Sequence, residues 1–103
     1  MFVARVTGSV VSTQKVGSMT GQKLLVVEPY RLEGESRNQL VSTGRTFIAV
    51  ATLGAGQDDM VLFTQGSSAR LTPETKNLPI DAVIVGIVDS VTIDRTSVYN
   101  RKD

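Results

Sequence analysis

Phe2-Val3-Ala4-Arg5-Val6-Thr7-Gly8-Ser9-Val10-Val11 is the stretch on which the fold turns. Phe2, Ala4, Val6, Gly8 and Val10 fall on one side; Val3, Arg5, Thr7, Ser9 and Val11 fall on the other. A period of two held over this length marks a half-buried strand. Gly8 inside it predicts a bend of the kind barrel strands need at a corner.

Further strands follow outward from this one. Lys23-Leu24-Leu25-Val26-Val27-Glu28 is apolar on both faces, and Pro29 limits its ladder. Residues 45–53 place Phe47, Ala49, Ala51 and Leu53 on one face, with Ile48 and Val50 on the other. Met60-Val61-Leu62-Phe63-Thr64 is a short strand after the turn at 54–59. Residues 80–93 read as one long last strand, apolar on both faces over 82–88. Residues 15–22, 31–44 and 72–77 read as loops, the second of them a mobile surface loop. Gly66-Ser67-Ser68-Ala69-Arg70 is expected to open one helical turn with a serine as its N-cap. The tail from Arg95 is polar apart from Val98 and Tyr99.

The expected fold is therefore all-β, a small five-stranded OB-like barrel with one short helical turn. An SH3-like barrel or a small sandwich is the alternative. The length of 103 residues predicts one domain over 1–103. Two strands are apolar on both faces, yet a small barrel has one interior and no long helix is available as a cover. Leu25 and Val27, or Val83, Val85 and Ile87, then need burial from outside. A second copy of the chain supplies it economically, or else loops fold back over these positions.

Composition removes several functions. Lys plus Arg number 11 against 10 Asp plus Glu, a net charge of +1 without runs of like charge. Such a balance argues against nucleic acid or a membrane as partner. There is no cysteine and no histidine, so disulfides and the usual zinc, haem and iron–sulfur ligands are excluded. The apolar run at 82–88 is far shorter than the ~20 residues of a membrane-spanning helix. The start of the chain lacks the layout of a signal peptide, and a cytoplasmic protein is expected.

Catalytic signals are equally sparse, and no enzyme, metal or cofactor is expected. A serine nucleophile would have only lysines or carboxylates as bases. Arg70 stands where a nucleophile elbow starting at Gly66 needs its second glycine. Gly54-Ala55-Gly56 lacks the third glycine of a dinucleotide site and the lysine of a P-loop. Its plain reading is a turn needing positive φ or close packing. Asp58 and Asp59 are adjacent but diverge in an extended chain. Asp89 interrupts an apolar strand and needs the barrel rim or a partner, for which Arg70 is the candidate. An OB-like nucleic-acid-binding module is the functional alternative, but it needs aromatic platforms, and aromatics make up only 5%.

Several segments, in their order and spacing, carry a resemblance. They are Ala4-Arg5-Val6-Thr7-Gly8, Val11-Ser12-Thr13-Gln14-Lys15 and Gly21-Gln22-Lys23-Leu24-Leu25-Val26-Val27. Gly54-Ala55-Gly56, Gly66-Ser67-Ser68-Ala69-Arg70, Pro79-Ile80-Asp81-Ala82, Gly86-Ile87-Val88-Asp89 and Arg101-Lys102-Asp103 complete the series. Together they resemble the vertex proteins of bacterial microcompartments, a family that includes ethanolamine-utilisation and carboxysome members. At Ala51 the chain departs from that pattern, since members often carry an acidic residue there.

The resemblance implies an OB-like barrel assembling as a cyclic homopentamer. It implies a structural shell protein that caps five-fold corners beside hexameric shell proteins, in the microcompartment shell of the bacterial cytoplasm. It also implies subunit-interface or pore-proximal roles for Gly54, Ala55, Gly56, Gly66, Ser67, Ser68 and Arg70. Small residues there would permit close approach near the axis, with Arg70 forming a charged hydrogen bond.

Overall fold

The computed structural model describes residues 1–13, 16–34 and 39–102. In chain order its strands are β1 (Phe2–Val10), β2 (Lys23–Glu33), β3 (Gln39–Ser42), β4 (Phe47–Ala51), β5 (Met60–Gln65), β6 (Ala82–Ile87), β7 (Ser90–Ile93) and β8 (Thr96–Asn100). Short 3₁₀ turns occupy Gly17–Met19 and Gly66–Arg70. The main sheet runs β1-β5-β6-β4-β2, and β1 pairs again with β2 to close a five-stranded barrel. Only β4 and β6 pair in parallel among the barrel strands. Closure leaves the barrel without an open edge.

The period of two is visible in the core itself. Ala4 and Val6, Leu25 and Val27, Ala49 and Ala51, Val61 and Phe63, and Ala82 and Ile84 point inward, one pair from each barrel strand. Ala55 joins them from the turn after β4. Alanines on three strands leave room for Phe63, which is fully buried and stacks on Phe2 with ring centres 5.4 Å apart. Phe47 tilts against the same ring at 5.7 Å. Phe2 itself is 40% exposed, so the three phenylalanines are one stack entering the barrel from its surface. Ala51 belongs to this apolar interior at its rim, with Lys23 opposite it on β2.

Two bulges bend the walls. The β1–β2 register shifts between Val6 and Gly8, which leaves Thr7 as the extra residue at the expected bend. The β5–β6 register shifts between Leu62 and Phe63, opposite Val85. A bulge re-aims the side chain it displaces, and Val85 stands 36% exposed on the outside.

The outer apolar face is covered differently from expectation. Leu25 and Val27 lie inside the barrel and need no outside cover, and Ile87 packs against the same core. On the outer face, Val50 and Val83 are buried by Ala69 of the second 3₁₀ turn, with Met19, Leu24 and Ile80 packed around them. Of the positions expected to need a neighbour, the chain's own turns thus cover Val83 alone. Among the large apolar residues of β4 and β6, Ile48 at 55% and Val85 stay exposed, as does Leu53 at 40% just after β4.

Three expected boundaries are corrected. The 31–44 loop is mainly strand, because β2 continues through Pro29 to Glu33 and pairs with β3 from Tyr30↔Ser42 to Glu33↔Gln39. Pro29 has no N–H to give, and its carbonyl instead accepts from the Thr43 N–H and hydroxyl, each at 3.0 Å. The tip at 35–38 lies outside the described residues, as do Gln14 and Lys15. The long last strand breaks at Val88-Asp89 into β6 and β7, and the polar tail returns as β8 to pair with β7. Asp94 and Arg95 between them both have positive φ, 49° and 67°, as a type I′ hairpin turn requires.

Candidate functional site

The turn at 54–56 is fixed to the barrel from two sides. Lys23 Nζ donates to the Ala55 carbonyl at 2.6 Å, and the Gly56 N–H donates to Asp59 Oδ2 at 2.9 Å. Between these anchors the Ala55 methyl is fully buried in the barrel core, while Gly54 is exposed. Neither glycine has positive φ; the left-handed residue of this turn is Asp58, at 70°. A Cβ built on Gly54 or Gly56 meets nothing of this chain within 4 Å. The expected need for positive φ or close packing is thus absent within the subunit.

Gly66–Arg70 is built on other supports. Gly66 has φ of +71° and gives its N–H to the Asp81 carbonyl at 2.7 Å, so glycine is required there by conformation. The turn takes Gln65 as its N-cap with no side-chain cap bond, and the expected serine cap is not formed. Ser67 and Ser68 are exposed, whereas Ala69 is buried against the outer wall. Arg70 Nη1 donates to the Ile80 carbonyl at 3.1 Å. The two predicted segments are therefore anchored separately, one to β2 and Asp59, the other to residues 80 and 81.

Asp89 is not paired with Arg70. Its carboxylate lies 3.6 Å from Arg101 Nη1, and Arg101 Nη2 lies 3.7 Å from Asp59 Oδ1. Close by, Arg5 donates to the Asp58 carbonyl at 2.9 Å and to the Tyr30 hydroxyl at 3.4 Å. The guanidinium of Arg5 also faces the Tyr99 ring at 6.0 Å. These two arginines tie β8 and the start of the β2–β3 arm to the barrel. The sequence reading missed both clusters, because they form only once the tail folds back. The available signals were the Val98-Tyr99 pair in an otherwise polar tail and the presence of Arg5 and Arg101 in segments that carry the resemblance.

An open cleft beside Arg101 is lined by Asp89, Ser90, Asn100 and Lys102. Among the described residues no three His, Cys, Asp or Glu side chains are grouped to hold a metal. The buried Phe63 and half-buried Phe47 are taken up in the core, which removes them as stacking platforms for bases. The arrangement is that of a closed barrel with anchored surface turns and separate exposed apolar residues, Ile48, Leu53 and Val85 among them, the class of surface suited to contact with other subunits.

Comparison with known proteins agrees with that class. The family model described as "Ethanolamine utilisation protein EutN/carboxysome" matches residues 1–89. The carboxysome shell vertex protein CcmL of Gloeobacter violaceus is 39% identical over 103 residues, covering 100% of this chain and 97% of the relative. Its solved structure superposes with a TM-score of 0.85 and full coverage of both chains. The shell vertex protein PduN of Salmonella typhimurium is 45% identical over 92 residues, 89% of this chain and 99% of the relative. The GrpN pentameric microcompartment shell protein of Rhodospirillum rubrum gives a TM-score of 0.70 at 43% identity, covering 88% of this chain and 95% of that one. The chain belongs to the EutN/CcmL family, whose members named here are structural shell vertex proteins and not enzymes.

Proposed function

We propose that this chain is a structural shell subunit whose five copies form a ring capping a five-fold vertex of a bacterial microcompartment. The observation that carries the reading is the full-length likeness in sequence and fold to proteins named for that role. The exposed Ile48, Leu53 and Val85 support it, since apolar residues gain from burial against another subunit. A cyclic ring joins two different surfaces of each subunit head to tail. The 54–56 turn, beside Leu53 and without need of its glycines inside the subunit, serves as one of these contacts. Gly66, Ser67, Ser68 and Arg70 lie on the exposed turn that presents Leu71, which is 81% exposed, and this serves as the other candidate surface near the axis.

The partners are then four identical chains and, at the rim, hexameric shell proteins that form the flat facets. The setting is the shell of a microcompartment in the bacterial cytoplasm. Native mass spectrometry tests the assembly, with a species of five times the monomer mass expected at micromolar concentration. A chain that stays monomeric across that range overturns it. Co-expression with hexameric shell proteins tests the partner, since closed shells should form only when this chain is present.

A further inference from the structure

Asp59 gives its two carboxylate oxygens to two different parts of the molecule. Oδ2 accepts the Gly56 N–H at 2.9 Å and so shapes the 54–59 turn, while Oδ1 faces Arg101 Nη2 at 3.7 Å. Arg101 also faces the Asp89 carboxylate at 3.6 Å, and its N–H donates to the Asp89 carbonyl at 2.8 Å. Asp89 is where the family match ends, and Arg101 follows β8 directly. The base of the β7–β8 hairpin is thus closed by Arg101 and joined to the barrel through Asp59.

The geometry points to a latch: Arg101 fastens the β7–β8 hairpin to the barrel, and Asp59 passes the state of that latch to the 54–56 turn. The hairpin is suited to release. A two-stranded sheet has little stability of its own, and among the described residues neither β7 nor β8 pairs with a barrel strand. The Arg101 side chain is 52% exposed, and exposed ion pairs are weak and weakened further by salt. Besides the latch, β8 is held by the Tyr99 ring facing Arg5 and by its approach to β3.

With the latch closed, the guanidinium holds the Asp59 carboxylate where Oδ2 receives the Gly56 N–H. With it open, that carboxylate regains rotamer freedom and the turn loses a restraint. Release of the hairpin then loosens a surface turn of the barrel. Only the further step, from a loosened turn to a weakened ring, rests on the function proposed above.

Hydrogen exchange on the full chain tests the coupling. Arg101→Ala is expected to speed exchange in 90–100 and, by roughly two- to fivefold, at the Gly56 amide. Arg101→Lys keeps one point charge without the fork that meets both carboxylates, and is expected to restore part of the protection. Added salt should speed both segments in the wild type and have little further effect in Arg101→Ala. Acceleration confined to 90–100, or none in either segment, overturns the latch-to-turn coupling. The mass of the same samples reads the ring separately: a monomeric wild type overturns the assembly, and exchange still decides the latch.

Discussion

Lys23 Nζ lies 2.6 Å from the carbonyl oxygen of Ala55, so the first residue of β2 caps the turn that leaves β4. Sequence places these residues 32 apart. Closure of β2 against β4, with Lys23 opposite Ala51, brings them together. The Ala55 methyl is pressed into the core beneath, and the cap holds it there. Lys23→Met keeps the apolar stem and removes the donor. It is expected to lower stability by about 1 kcal/mol, the usual worth of such a bond. Urea unfolding should show an earlier midpoint with an unchanged slope. An unchanged midpoint would mean that water replaces the ammonium without loss.

Gly54 and Gly66 separate two reasons for a glycine. Gly66→Val forces a β-branched residue to φ of +71°, at a cost of about 1–3 kcal/mol. Gly54→Val meets no steric obstacle in its own chain and no positive φ. It should leave monomer stability within about 0.5 kcal/mol while reducing the pentamer. Chemical unfolding and native mass spectrometry on both variants check the pair. Normal assembly by a folded Gly54→Val chain removes the 54–56 turn from the interface.

Phe63 carries the barrel core. It fills the space left by alanines on three strands and stacks with Phe2 and Phe47. Phe63→Ala should cost about 3–5 kcal/mol, a large share of what a domain of this size possesses. A melting temperature lowered by less than about 10 °C would show that the barrel collapses to fill the gap.

The barrel was legible because its inward pairs repeat at a spacing of two, as in Ala4/Val6 and Leu25/Val27. The outer cover was not. Val50 and Val83 are apolar whether a neighbour or the chain's own Ala69 buries them, and periodicity does not name the covering atom. The β7–β8 hairpin was hidden for a different reason. Its turn is Asp94-Arg95, which adopts positive φ without the glycine that marks such turns in sequence. With the tail read only as polar, Arg101 was not considered as a partner, and Arg70 was the candidate for Asp89. The site residues divide in the same way. Gly66 has a reason within one subunit, whereas Gly54 and Gly56 have none there.

Ile48 and Val85 test where the proposed ring contact lies. Each is an outward-facing strand residue left bare after the 3₁₀ turns have covered Val50 and Val83. Ile48 sits opposite Val26 on the β2–β4 side, and Val85 is displaced outward by the bulge beside Leu62. A lysine at either position keeps its charge in water in the isolated subunit and should change stability by no more than about 0.5 kcal/mol. In a subunit contact the same lysine brings in an unpaired charge, which costs several kcal/mol and is repeated at every interface of a ring. Ile48→Lys and Val85→Lys are therefore expected to give folded chains that fail to form pentamers, read by native mass spectrometry over a concentration series. Loss of the ring in one variant alone assigns the contact to that side of the barrel. Normal rings in both would place the contact away from Ile48 and Val85, because five buried unpaired lysines would open the ring.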